Sequence, residues 1–368
     1  MKKSILFFIF DMGNGGAEKV LTSLVTFLDP EKYDITVQTL FDYGVNRKFL
    51  PKHVKYRTFF HHRRFPAVTY VLRMFSPEFL FKTIIRRKYD VMIAYLENIT
   101  TRIMSGCPRE GVRKIAWVHN QRINPIPYRS DEEQRRAYES FDKVVFVSEY
   151  ARQAFKKNFP TYNIDTAVVY NTLDIDMIKR LANEEIDIKL DKNIINLFSV
   201  GRLIENKGYV RLMDILGRLK NDGVDGWHFY LLGEGVQRPE IEAKINQYGL
   251  ENNVTLLGFE VNPHKYVSRM DLFVCSSLVE GYSTAVTESV IHGVPVLTTE
   301  CSGMSEIFGE SGCGIIVDNN TEALYDALKK LLLAPRKIQE MRQNAINRSG
   351  FFSREATLKQ FEQVVEGE

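Results

Sequence analysis

Short apolar runs alternate with amphipathic stretches along the whole chain. In the first half the runs are SILFFIF (residues 4–10), DITVQTL (34–40), DVMIAYL (90–96), KIAWVH (114–119) and KVVFVS (143–148). A second series starts near residue 195 with INLFSVG, WHFYLLG, NVTLLG, DLFVCSS, VPVLTT and GIIV. Strands with so little polar alternation are buried on both faces, as in parallel sheets covered by helices. Between the first two runs, Val20, Leu21, Leu24, Val25 and Leu28 recur at helical spacing and predict one buried helix face. The two series therefore predict an α/β fold of two Rossmann-like, doubly wound domains. Ligands of such sheets bind at the carboxyl ends of the strands, so the expected site is a cleft where the two domains face each other.

The charged stretch at residues 170–193 lacks strand character and marks the boundary, giving domains at 1–172 and 173–349. The C-terminal FFSREATLKQFEQVV predicts an amphipathic helix, about 350–368, that packs back on the first domain. Ser353 is its N-cap, and Leu358, Phe361, Val364 and Val365 form its apolar side.

Composition narrows this picture without changing it. A chain of 368 residues exceeds what one core usually serves. A hydrophobic share of 44% and a charged share of 26% are those of a soluble globular protein. A net charge of +3 gives no argument for nucleic acid. Cys107, Cys275, Cys301 and Cys313 are scattered without metal spacing, which suits a reducing compartment. The opening MKKSILFFIFD imitates a signal peptide but is cut short by Asp11 and reads as a first strand. No apolar run approaches the roughly 18 residues of a membrane-spanning helix.

Four places carry candidate chemistry. In DLFVCSSLVEGYSTAVTESVIHGVPVLTT, a buried strand ends at Ser277, a loop carries Glu280 and Gly281, and a helix starts near Ser283 or Thr284. The free amides of that helix start favour an anion, while Glu280 and Glu288 suit sugar or ribose hydroxyls. In SVGRLIENKGY, Arg202 and Lys207 follow a strand and can neutralise a diphosphate, Arg by a fork and Lys as a point charge. Gly233, in the GEG of residues 233–235, also closes a strand. In KIAWVHN, His119 stands at a strand end where it can bond a hydroxyl or move a proton. Finally, MGNGGAEKV crowds Gly13, Gly15 and Gly16 between a strand and a helix. Glu18 takes the place of the third glycine of a dinucleotide fingerprint, and the phosphate-loop lysine and serine are absent. Taken singly, each feature also has a plain structural reading as a solvated loop, a surface charge or a packed histidine.

Together these residues resemble the retaining glycosyltransferases of family 4, which have the GT-B architecture. GGAEKVLTSL is similar to the family's opening loop, VVYNTLD to its interdomain link, and VGRLIENKG to its Arg/Lys donor motif. EGYSTAVTESVIHGVPVLTTECSGMSEI resembles its most specific signature, two glutamates separated by seven residues. Tyr282 and Ser283 stand where EGFP is frequent, and YNTLD where PNGVD is common.

The resemblance implies a nucleotide-sugar donor, UDP-linked ahead of GDP-linked on family usage, and no resident cofactor. Arg202 and Lys207 would hold the diphosphate and Glu288 the ribose. Glu280 would contact the sugar, with Gly281, Tyr282, Ser283 and Thr284. Gly201, Gly233, Gly258 and Phe259 would border the nucleotide, with the base near Gly258 and Phe259. Gly15 and Gly16 would let the backbone approach the diphosphate, while Gly13, His119 and Asn120 would face the acceptor. His119, Arg202, Lys207 and Glu280 are the implied catalytic set. The mechanism implied is front-face and metal-independent, with Arg and Lys used where other enzymes use a divalent cation.

The expected substrate pair is therefore a nucleotide sugar and a saccharide acceptor, lipid-linked, in bacterial surface polysaccharide synthesis. The setting is the cytoplasm, with peripheral contact at the inner face of the membrane. Residues 52–90 interleave cations with aromatics, with Glu78 and Asp90 the only acids, and could dock on anionic lipid. The alternative reading of that segment is a helical region whose aromatics are mostly core. Alternatives for the whole chain are a sugar-nucleotide epimerase, a GT-B phosphorylase, or an inactive adaptor binding membrane or nucleic acid.

Overall fold

A computed structural model describes the chain except residues 1, 14, 62–66, 109, 120–125, 281, 302 and 368. It divides into two compact units, Met1–Leu173 with Arg354–Glu368, and Asp174–Ser353. In the first, strands β1 (Lys3–Ile9), β2 (Tyr33–Phe41), β3 (Lys55–Phe60), β4 (Val91–Tyr95), β5 (Arg113–Val118), β6 (Lys143–Phe146) and β7 (Thr166–Val168) form one sheet. Their spatial order is β3-β2-β1-β4-β5-β6-β7, parallel throughout.

The second unit carries β8 (Ile195–Val200), β9 (Trp227–Leu232), β10 (Val254–Gly258), β11 (Leu272–Cys275), β12 (Val296–Thr299) and β13 (Gly314–Val317). Here the order is β10-β9-β8-β11-β12-β13, again parallel. Both sheets reverse their winding beside their first strand, between β1 and β4 and between β8 and β11. At such a reversal neighbouring loops diverge and leave a crevice above the carboxyl ends of the strands.

The apolar runs form these strands because both faces are covered. Ile5, Leu6, Phe7, Phe8 and Ile9 of β1 have no exposed surface. The helix Gly16–Phe27 buries Val20, Leu21, Leu24 and Val25. In the second unit, the helix Tyr209–Asn221 buries Leu212, Met213, Ile215, Leu216 and Leu219. The helix Arg354–Glu366 belongs to the first unit. Phe361 stacks on Phe7 with centroids 5.9 Å apart, and Arg113 Nε donates to the Val364 carbonyl at 2.8 Å. Thr357 rather than Leu358 opens its buried stripe, with Leu358 half-buried.

Two strands were not foreseen in the sequence. β7 has three residues, and β3, KYRTFF, lies inside the basic-aromatic segment that otherwise reads as helical. Both are sheet edges, where one flank faces no neighbouring strand and cations and polar side chains are tolerated. An apolar-run criterion therefore passes over them. That segment does contain helices, Val68–Arg73 and Pro77–Ile84, after the strand.

Candidate functional site

The Arg/Lys motif and the first glutamate of the signature meet at the winding reversal of the second unit. β8 ends at Val200, a short turn follows, and Gly208 then opens the helix Tyr209–Asn221. Gly208 has φ +66°, and a Cβ there would drive into the Ser276 carbonyl oxygen. Only glycine lets the turn press so closely against the loop leaving β11. That contact is sealed by Ser276 Oγ donating to the Lys207 carbonyl (2.9 Å) and Leu278 N to the Asn206 carbonyl (2.8 Å).

Lys207 Nζ consequently lies 2.5 Å from Glu280 Oε1, which also accepts from Ser277 Oγ at 2.7 Å. The lysine side chain is 24% and the glutamate 11% exposed, so the pair is partly desolvated yet reachable. Lys207, Tyr209, Ser276, Ser277, Glu280 and Ser283 line one small concavity. Above β8, Arg202 is exposed, and its guanidinium has no hydrogen-bond or ion-pair partner among the described residues.

The helix Thr284–Ile291 begins at this concavity. The Ser283 oxygen caps it by accepting from Val286 N (3.4 Å), leaving the first-turn amides of Thr284 and Ala285 without intrahelical acceptors. Tyr282 and Ser283 are buried, Thr284 is half-buried, and Glu288 is buried one turn into the helix. Gly201, Gly233 and Gly258 line up across the ends of β8, β9 and β10. Gly201 N donates to the Leu232 carbonyl (3.0 Å) and Gly233 N to that of Gly258 (2.7 Å). Phe259 beyond them is half exposed, at 53%. Gly281 and Asn120 lie outside the described residues.

The supports of this loop are residues that the motifs do not mark. Arg211 donates to the Ser276 carbonyl through Nε (3.1 Å) and Nη2 (2.7 Å), and to Asn319 Oδ1 at 2.8 Å. Asn319 Nδ2 reaches the Leu278 and Glu300 carbonyls at 3.0 and 3.2 Å. Thr299 Oγ1 donates to the Ser277 carbonyl at 2.7 Å. The one sequence signal for Arg211 is its place four residues beyond Lys207, on the same side of the helix start. Asn319 carries no such signal, because only the sheet order brings β13 beside this loop. All four cysteines are free and buried, and burial raises each thiol, Cys301 up to about 12, which disfavours the nucleophilic thiolate.

In the first unit, the glycine loop leaves β1 and enters the helix Gly16–Phe27 with Gly15 as N-cap. Gly15 has φ −79°, open to any residue, so backbone freedom is not the reason for glycine there. The Glu18 carboxylate instead occupies the space of a Gly15 side chain. Gly16 is exposed at the helix start, and Gly13 N bonds Asp11 Oδ1 at 2.9 Å. The strained glycine is Gly44, at φ +111°, whose Cβ would strike the Met12 carbonyl. Asn46 N donates to that same carbonyl at 3.1 Å.

His119 follows β5 and is buried, its backbone N–H held by Glu97 Oε2 at 2.9 Å. Its ring meets Tyr95 edge-on at 4.9 Å, and Nε2 is buried without a hydrogen-bond partner among the described residues. Burial pushes its pKa down to about 3, so the ring is neutral at physiological pH. A neutral imidazole with a vacant nitrogen can accept from, or donate to, a ligand hydroxyl.

The basic-aromatic segment presents a ridge in which Tyr70, Val71, Met74, Phe75 and Phe79 are all exposed. The Phe75 and Phe79 rings stack at 5.3 Å. Fully buried Arg102 fixes this ridge by donating to the Leu72, Arg73 and Phe75 carbonyls while pairing with Glu133 at 2.8 Å.

Comparison with known proteins accounts for both units. The family Glycosyltransferase Family 4 matches residues 14–177, and Glycosyl transferases group 1 matches residues 181–348. Among curated relatives, N-acetylgalactosamine-N,N'-diacetylbacillosaminyl-diphospho-undecaprenol 4-alpha-N-acetylgalactosaminyltransferase of Campylobacter jejuni is 27% identical, over 88% of this chain and 89% of its own. Lipopolysaccharide core biosynthesis glycosyltransferase LpsE of Rhizobium meliloti is 24% identical over 54% of this chain and 57% of its own. Among solved structures, Anabaena HepE in complex with UDP is 19% identical with a TM-score of 0.75, covering all of both chains. The lipopolysaccharide glycosyltransferase WaaG is 14% identical with a TM-score of 0.72, covering 99% of this chain and all of its own.

Two expectations follow from the geometry. Gly208→Ala costs about 1–3 kcal/mol from the positive φ alone, and the clash with Ser276 adds to it; urea unfolding measures the loss. For His119 the folded pKa of about 3 lies below the free value of 6.5. Stability is therefore complete above pH 6.5 and falls as the pH drops toward 3, by up to about 1.4 kcal/mol per pH unit from this ring. The urea midpoint of His119→Gln should fall less steeply from pH 6 to pH 4 than that of the parent chain.

Proposed function

The chain belongs to the glycosyltransferases of family 4, with the GT-B architecture, and we propose that it moves a sugar from a UDP-sugar to a lipid-linked saccharide. The observation that carries this reading is the Lys207–Glu280 pair in a concavity of the second unit, with the start of the helix Thr284–Ile291 at its wall. Arg202, two residues beyond the end of β8, is exposed and unpartnered among the described residues, and Glu288 is buried one turn into that helix.

In this reading Arg202 and Lys207 bind the diphosphate and stabilise the charge that develops on it as the sugar leaves. Glu288 accepts from the ribose hydroxyls and Glu280 from those of the sugar, with the first-turn amides nearby. Reaction is at the front face with retention. The bond from the anomeric carbon to the phosphate oxygen breaks as the acceptor oxygen bonds to that carbon. The acceptor's proton passes to the departing phosphate oxygen, so no protein base is required. On the first unit, the vacant His119 nitrogen and the Gly13–Gly16 loop take up substrate hydroxyls and phosphate. In this reading the two cations do the work that a divalent metal does in other transferases.

The UDP-bound relative in structure supports UDP, and the curated relative named for an undecaprenyl-diphosphate substrate supports a lipid-linked acceptor in bacterial surface glycan synthesis. Among the described residues no helix is long and apolar enough to cross a membrane. Peripheral contact through residues 52–90 at the cytoplasmic face would let the enzyme reach a lipid-borne acceptor. The ridge Tyr70–Phe79, flanked by Lys82, Arg86, Arg87 and Lys88, has the apolar edge and cationic border for this.

A panel of nucleotide sugars screened by thermal stabilisation should single out a UDP-sugar, with binding weakened by Glu288→Ala. Lys207→Ala should lower turnover at least about 100-fold, as loss of transition-state charge stabilisation does; near-normal turnover would remove Lys207 from the mechanism. Flotation with phosphatidylglycerol vesicles should succeed for the parent chain and fail for Met74→Ser/Phe75→Ser. Flotation indifferent to anionic lipid would refute the membrane contact.

A further inference from the structure

At the outer edge of the first unit's sheet, away from the winding reversal, lies a second concavity of about 510 Å³. β2 and the turn after it contribute Gln38, Asp42 and Arg47, and β3 contributes Tyr56, Arg57, Thr58 and Phe59. The chain leaving the helix Pro77–Ile84 adds Arg86. Three guanidinium groups and the His61 imidazole thus face a space with a single acid, Asp42.

That acid is already engaged. Arg47 Nη1 donates to both Asp42 oxygens at 2.7 and 3.0 Å, and the Tyr56 hydroxyl donates to Oδ1 at 3.2 Å. The Arg47 guanidinium also lies 4.4 Å over the Tyr56 ring, which fixes this wall of the cavity. Arg57 is half-buried on β3, and its side chain has no hydrogen-bond or ion-pair partner among the described residues. Arg86 uses Nε on the Thr83 carbonyl at 3.2 Å, and its two terminal nitrogens have no further partner among the described residues. Setting the Arg47–Asp42 pair aside, two positive charges are left uncompensated in one concave site, one of them on a half-buried strand residue. Holding like charges together is unfavourable unless an anion joins them.

We propose that this cavity binds a phosphoryl dianion, the phosphate or diphosphate of a substrate or lipid headgroup. A carboxylate would neutralise only one of the two free guanidiniums. A phosphate monoester is largely dianionic at neutral pH and presents three oxygens to two planar donor forks. The helix Pro77–Ile84 connects the cavity to the apolar ridge, with Phe79 in its first turn and Ile84 at its end. Its eight residues span about 12 Å. A phosphate carrying an isoprenyl or acyl chain would therefore find charge and apolar surface within one helix length. The site is separate from the donor-binding concavity, and its existence does not depend on what that concavity binds.

The test is calorimetric titration with inorganic pyrophosphate, starting from the Arg202→Ala/Lys207→Ala chain so that both cations proposed to hold the donor diphosphate are gone. This chain should bind pyrophosphate, and adding Arg57→Gln and Arg86→Gln should weaken binding at least about tenfold, as loss of two charge-assisted contacts does. Equal binding with and without Arg57 and Arg86, or none in the Arg202→Ala/Lys207→Ala chain, would overturn the proposal. Thermal melting checks that each variant folds, and Arg86→Gln alone, at an exposed position, gives the same comparison with a smaller loss. Sedimentation with phosphatidic acid and phosphatidylcholine vesicles identifies the source of the phosphate, since phosphatidic acid presents a phosphate monoester and phosphatidylcholine a diester. Loss of phosphatidic-acid-selective binding on removing Arg57 and Arg86 places it in the bilayer. Retained vesicle binding with lost pyrophosphate binding places it on a single substrate molecule.

Discussion

The second unit's site depends on how closely the turn at Gly208 approaches the Ser276 carbonyl. The left-handed glycine brings the end of the β8 motif against the loop leaving β11, and Lys207 meets Glu280 as a consequence. Such an ion pair, largely withdrawn from water, contributes little net stability because desolvation offsets attraction. Its effect is geometric: it holds a cation and a carboxylate in reach of one concavity. In the proposed reaction a donor diphosphate competes with Glu280 for Lys207, while Arg202 is available from the outset. Arg211, Asn319 and Thr299 keep the loop in place by satisfying its carbonyls, so its polar backbone does not drift toward solvent.

The first unit solves a comparable problem with burial. His119 and Tyr95 stand at the ends of neighbouring strands with a ring nitrogen and a hydroxyl that lack partners among the described residues. Unmet buried polar atoms cost roughly 1–3 kcal/mol each, and natural chains keep them mainly where a ligand uses them. The glycines of MGNGGAEKV act differently from what their number suggests. Gly13 and Gly15 sit in ordinary conformations, and the backbone strain is carried by Gly44 in the neighbouring turn. That turn cradles the Met12 carbonyl and sets where the loop lies. The crowding of small residues keeps the helix start open, with Glu18 folded over it.

Solved structures only 14–19% identical to this chain share its fold at TM-scores above 0.7. Strand order and burial tolerate nearly any apolar substitution of suitable volume, so architecture outlasts sequence. What differs among such proteins is carried by loops and edges. Here those include an arginine-lined cavity on β3 and an exposed aromatic ridge held by buried Arg102.

The sequence by itself determined the architecture and marked the residues proposed to hold a donor. Apolar runs such as SILFFIF and DLFVCSS can only be doubly covered strands, and Arg202, Lys207, Glu280 and Glu288 are legible because strand ends flank them. It also placed a helix start near Ser283 or Thr284, and the helix begins at Thr284. β3 and β7 escaped because edge strands need no continuous apolar run. Arg211 and Asn319 escaped because their partners lie 65 and 41 residues away along the chain. The engagement of Lys207 by Glu280, the depressed basicity of His119 and the uncompensated charge of Arg57 were decided only by tertiary structure. Each depends on distance and desolvation, and neither quantity exists until strands remote in sequence become neighbours in a sheet.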